Sequence, residues 1–149
     1  MFSVLSQNKS MTAKYLLLVC IFLALISCKE NDFDSGENSE KLVGYWVNPT
    51  YQDSITILEK ASKLSDNNYG IAFMSDGKLV ERKNSGWCGT PPISYGDFNG
   101  TWEMKDPVIS ISVDYWGGKA SYKWEIVSVT DDQLKVLVKE QKYDDPSGK

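Results

Sequence analysis

Cys28 follows an unbroken apolar run, Cys88 stands alone in a Gly/Pro-rich string, and the 149-residue chain contains no histidine. A thiol becomes a nucleophile only when a base or a positive neighbourhood draws off its proton. Lys83 is the cation nearest Cys88 in sequence and a poor general base near neutral pH. The missing imidazole also removes serine-histidine triads and the usual zinc sites. Paired carboxylates could still do acid-base work across a cleft. Glu103, Asp114 and Glu125, however, alternate with apolar residues and should face solvent. Calcium fails on register: with Gly36 sixth in a twelve-residue loop, the first and third places fall on Asn31 and Phe33 rather than Asp32 and Asp34. We therefore expect no catalytic residue, no metal ligand and no cofactor.

The apolar run over residues 15–26 lies behind Lys9 and Lys14 and ends Leu25-Ile26-Ser27-Cys28. It is about half the ~20 residues that a spanning helix needs. Its basic front, apolar middle and small residue before the cysteine read as a cleaved signal. The last four residues resemble the lipobox of bacterial lipoproteins, in which the cysteine is diacylglycerylated and, after cleavage, usually N-acylated with fatty acids such as palmitate. The resemblance implies a signal peptide over 1–27, lipidation at Cys28 and a lipid-anchored place in the cell envelope, at the outer membrane on its periplasmic or surface face. Each buried methylene contributes about 0.8 kcal/mol, and two or more chains give stable attachment.

Residues 28–41 are polar and acidic, and read as a flexible tether. Its 13 residues after Cys28 would span about 20 Å as a coil and at most about 45 Å extended. The start Lys29-Glu30-Asn31-Asp32 resembles the acidic export signal of Bacteroidota surface lipoproteins, although a plain solvated spacer would look the same. Asp53-Ser54-Ile55 resembles a short O-glycosylation site of the same group. Taking Lys9 and Lys14 away from 16 basic and 20 acidic residues leaves a net charge near −6. A chain so acidic has no electrostatic footprint for phosphate backbones, and nucleic acid is discarded as a partner.

The cysteines leave Cys88 as the sole thiol of the folded region, 42–143, so no intrachain disulfide is expected there. The apolar core must hold the domain. Short alternating runs fall at 42–48, closed by Pro49, and at 54–58, 69–74 and 78–83. The segment 60–68 could be a helical turn or a loop, and 84–99 reads as a long connection. Further runs fall at 101–105, 108–116, 120–126 and 134–139, with turns at Asp106-Pro107, Gly117-Gly118 and Asp131-Asp132. The pattern predicts an all-β fold, a small antiparallel up-and-down barrel of about eight strands, because closure removes exposed edges. Residues 144–149 read as a disordered tail.

Gly44-Tyr45-Trp46, the Phe73-to-Gly77 hairpin, Gly100-Thr101-Trp102 and the last strand pair together resemble the lipocalin-like domains of Bacteroidota lipoproteins. In larger lipocalins a basic side chain from the end of the barrel packs over the tryptophan of the Gly-x-Trp motif. The only arginine, Arg82, is far from the last strand, so Lys135, Lys139 or Lys142 would have to take that place. The resemblance implies non-catalytic binding of a small hydrophobic molecule. Trp46, Phe73, Trp102, Tyr115, Tyr122 and Trp124 fall on inferred inward faces and either fill the interior or line a pocket. A cavity of roughly 300 Å³ or more would favour the pocket. In Gly86-Trp87-Cys88-Gly89-Thr90-Pro91-Pro92, the tryptophan is either a recognition element or a buried pin beside a buried cysteine. If the barrel is solid, the loop over 87–98, with Trp87 and Tyr95, could instead contact an envelope protein or glycan.

Overall fold

A computed structural model of the protein describes residues 35–144; the signal segment, Cys28, the first part of the tether and residues 145–149 lie outside the described residues. Helix α1 (Ser35–Leu42) precedes eight strands: β1 (Gly44–Gln52), β2 (Ile55–Ala61), β3 (Gly70–Phe73), β4 (Lys78–Asn84), β5 (Tyr95–Lys105), β6 (Val108–Tyr115), β7 (Gly118–Val129) and β8 (Gln133–Tyr143). All pairings are antiparallel, and they close a barrel in the order β1-β2-β8-β7-β6-β5-β4-β3. The all-β closed barrel read from the alternation is therefore present.

From β3 to β8 the chain runs as sequential hairpins. At its start the order differs, because β1 lies between β2 and β3. The link over residues 62–69 crosses the outer face of β1, where Leu64 is buried with Val47 and Ala72 in a small second core. Arg82 pins this crossover by donating to the Ser65 carbonyl at 3.0 Å while its other nitrogens grip Asp97 at 2.6 and 2.8 Å. A fork-on-carboxylate pair of this kind fixes direction as well as distance. Gly70 keeps the crossover tight: a Cβ there would stand 2.8 Å from Leu64 Cδ2.

The strand bounds depart from the sequence reading in several places, four of them with a local cause. Pro49 does not end β1; a bulge between Val47 and Thr50, with Asn48 at φ 53°, places the proline where the ladder to β2 is already interrupted. Segment 60–68 is the end of β2 followed by the crossover loop, not a helical turn. β5 begins at Tyr95, well inside the expected connection, because Gly96 and Gly100 hide a strand pattern that pairs Tyr95 with Asn84 and Phe98 with Glu81. At Gly100 the neighbouring strand comes so close that a Cβ would lie 2.9 Å from Val113 Cα. The two-residue loop between β6 and β7 is Trp116-Gly117, with Gly118 opening β7 at φ 143°.

The tether also needs correction: its last residues form α1 rather than coil. Eight residues are marginal as a free helix. Burial of Leu42 in the core and an i,i+4 pair between Glu37 and Lys41 hold this one.

Candidate binding site at the open end of the barrel

One end of the barrel is sealed. The indole of Trp46 is fully buried and donates from Nε1 to the Leu42 carbonyl at 2.7 Å. Lys60 reaches in from β2 and donates to the carbonyls of Lys41 and Val43 at 2.8 and 2.7 Å. Its ammonium also lies 4.2 Å from the Trp46 ring centroid. Three carbonyls at the end of α1 thus find donors, and a cation sits where the helix dipole is negative. Burial pulls Lys60 below its ordinary value, opposed by the nearby Asp131 carboxylate. The basic residue over the tryptophan is therefore Lys60, not Lys135, Lys139 or Lys142 near the C-terminus.

The opposite end stays open for a topological reason. β3 has four residues against nine in β1, so β1 has no β3 partner beyond Val47. β8 likewise has no β2 partner beyond Leu137. The wall parts on both sides of the β1–β2 hairpin, and a cup of about 330 Å³ opens there. Leu58, Trp124, Val138 and the rings of Tyr51 and Tyr143 supply its apolar lining. A larger depression of about 490 Å³ lies on the outer wall, among outward residues such as Ser110, Ser112 and Ser121. It is about as open to solvent as the cup, and it lies outside the barrel rather than at its mouth.

The polar side of the cup is built on β4. Leu79, Glu81 and Lys83 share its inward face by strand alternation. Glu81 is 2% exposed. One carboxylate oxygen accepts from Tyr69 Oη at 2.8 Å. The other accepts from Lys83 Nζ at 2.5 Å and from Tyr122 Oη at 3.4 Å. Lys83 donates to Tyr122 Oη as well, at 3.1 Å. The buried charge is thus paired and hydrogen-bonded, the condition under which burial is tolerated. Burial, and then the Glu81 charge, raise Tyr69 well above the ordinary phenol value and raise Tyr122 strongly.

These two phenols set an alkaline limit. The unfolded chain releases their protons near pH 10 while the folded chain keeps them, so their stabilising effect is complete below pH 10 and is lost as pH rises towards the folded values. Each adds a slope of about 1.4 kcal/mol per pH unit in that window. The urea midpoint of the wild type is expected to fall above pH 10 more steeply than that of Tyr69→Phe/Tyr122→Phe. Identical alkaline slopes in the two proteins would contradict this.

Of the six aromatics read as inward, Tyr122 and Trp124 line the cup, stacked at 6.2 Å between centroids. Phe73 is core, with edge contacts to Trp102 at 5.4 Å and Trp124 at 6.5 Å. Trp46 belongs to the sealed end, and Trp102 donates to the Met74 carbonyl at 3.0 Å. Tyr115 sits at the rim of the open end, edge-on to Tyr143 at 5.2 Å. Trp87 is 82% exposed and Cys88 is exposed too, which overturns the buried-pin reading of their loop. That loop leaves β4 at the open end, while Tyr95 is half-buried on β5. Glu103, Asp114 and Glu125 face outward and pair with Lys105, Lys119 and Lys139. Ser54 is exposed at the β1–β2 tip.

Tyr69, Glu81 and Lys83 were missed in the sequence. Alternation from Leu79 puts both charges on the inward face, but two adjacent inward charges look like the end of a strand rather than the floor of a site. No family model, curated protein or solved structure matches the chain. Fold and site together define a small closed antiparallel β-barrel, sealed at one end and holding a cup of about 330 Å³ at the other.

Proposed function

We propose that this protein is a lipid-anchored, lipocalin-like envelope protein that holds a small, largely apolar molecule in the cup without transforming it. The observation that carries this reading is the cup of about 330 Å³, apolar on most of its wall with a few convergent polar groups. Sites for small ligands have that size and that mixture. The lipid anchor rests on the sequence around Cys28. Between Cys28 and α1 only residues 29–34 intervene, a reach of about 20 Å at most.

Native mass spectrometry of the protein purified after exposure to a cell extract is expected to show a retained small species, lost on Trp124→Ala. A wild type that stays empty would refute the binding reading. On Cys28→Ala, metabolic labelling should find no acyl chains; acyl chains still present would refute the anchor. The exposed Trp87 favours a second reading, in which the loop over 85–94 contacts an envelope protein or glycan at the same end of the barrel.

A further inference from the structure

The charges of the cup cancel, and this limits what can enter. Glu81 and Lys83 are in direct contact, and the two phenols beside them donate or accept without carrying charge. A carboxylate ligand would place a second anion beside Glu81 against a single ammonium, in a half-enclosed site where water screens it only in part. A cationic ligand would find the one acid already engaged by Lys83. Neutral ligands meet neither obstacle.

The hydrogen-bond inventory is more specific. Glu81 accepts on both oxygens, and Tyr122 Oη accepts from Lys83 and lies within reach of Glu81. Lys83 has three N–H donors, of which two are directed at Glu81 and Tyr122. Its side chain is 15% exposed and belongs to the cup lining, so the third donor is placed to meet a ligand. The apolar part of the lining includes Leu58, Trp124 and Val138.

We infer that the cup takes a neutral amphiphile, an apolar body against Leu58, Trp124 and Val138 with one oxygen acceptor, a hydroxyl or carbonyl, on Lys83 Nζ. The inference rests on the reading of the cup as a binding site, and it adds the ligand's charge and its single acceptor.

Calorimetric titration of the full chain in lipid nanodiscs, with empty discs as the blank, tests it with 1-octanol and octanoate at neutral pH. Octanol is expected to bind about tenfold more tightly than octanoate, the scale set by an uncompensated charge in a half-enclosed site. Glu81→Gln leaves the cup with Lys83 as its only charge and should shrink or reverse the preference. Octanoate binding as tightly as octanol in the wild type would overturn the neutral assignment while leaving a binding cup in place. Heat from neither probe, nor from 1-octene, would overturn the cup reading itself. The wild-type comparison decides the matter even if Glu81→Gln does not fold.

Discussion

Trp46→Ala is expected to lower the stability of the barrel by about 4 kcal/mol, the middle of the range for removing a fully buried aromatic. For a domain of this size that is a fall of roughly 20 °C in Tm. The cost has three parts on one side chain. The ring fills the sealed end at zero exposure, its Nε1 satisfies the Leu42 carbonyl, and its face receives the Lys60 ammonium. Trp46→Phe separates them: it keeps most of the apolar volume, leaves a buried carbonyl without that donor, and should cost about 1–3 kcal/mol. Thermal melts of the two variants beside the wild type check the order. Equal losses for Phe and Ala would mean that the polar contacts at the sealed end, not the filling of space, dominate.

Lys83→Met should cost about 3–5 kcal/mol, because it strands the Glu81 carboxylate in the interior with only the two phenols as partners. The double variant Glu81→Gln/Lys83→Met removes both charges and is expected to lie within about 1–2 kcal/mol of the wild type. Glu81→Gln alone is the milder single change, since the amide oxygen can still accept from Lys83. Chemical denaturation of the four proteins forms a double-mutant cycle with a large coupling energy as its expected result. Additive effects would show that the pair does not act as a unit. The same cycle bears on the cup, because a buried pair that adds little net stability is easier to understand where it meets a ligand.

Period-two alternation made the second half of the barrel legible in detail. Ile109, Ile111 and Val113 read as inward, and their neighbours Ser110 and Ser112 face out. Ala120, Tyr122, Trp124 and Ile126 behave the same way on β7. The first half was harder for identifiable reasons. Gly96 and Gly100 have no side chain to mark a face, so β5 was shortened. Pro49 normally stops a strand, but the bulge removes the need for its N–H. Residues 35–41 look too polar to order, yet they are anchored by Leu42, by Trp46 and by a lysine that arrives from β2.

The aromatic reading was right about direction and indifferent to place. Alternation says that Trp46, Phe73 and Trp124 point inward; it cannot say which end of a tube each one reaches. Trp87 shows the converse limit, since neither its type nor its glycine and proline neighbours decide between pin and exposed element. Charge alternation on β4 was present in the sequence, but its meaning was not, because Tyr69 and Tyr122 come from other parts of the chain to complete the network.

The amino-acid sequence by itself determined the all-β class, the hairpin turns and the inward faces, because these depend on neighbours two to five residues apart. Only the tertiary structure decided that β1 lies between β2 and β3, that α1 and Lys60 seal one end, and that Glu81 and Lys83 meet two phenols in a cup at the other. Those outcomes depend on which strand lengths fall short when the sheet closes. That is set by contacts between distant residues, and no local pattern records it.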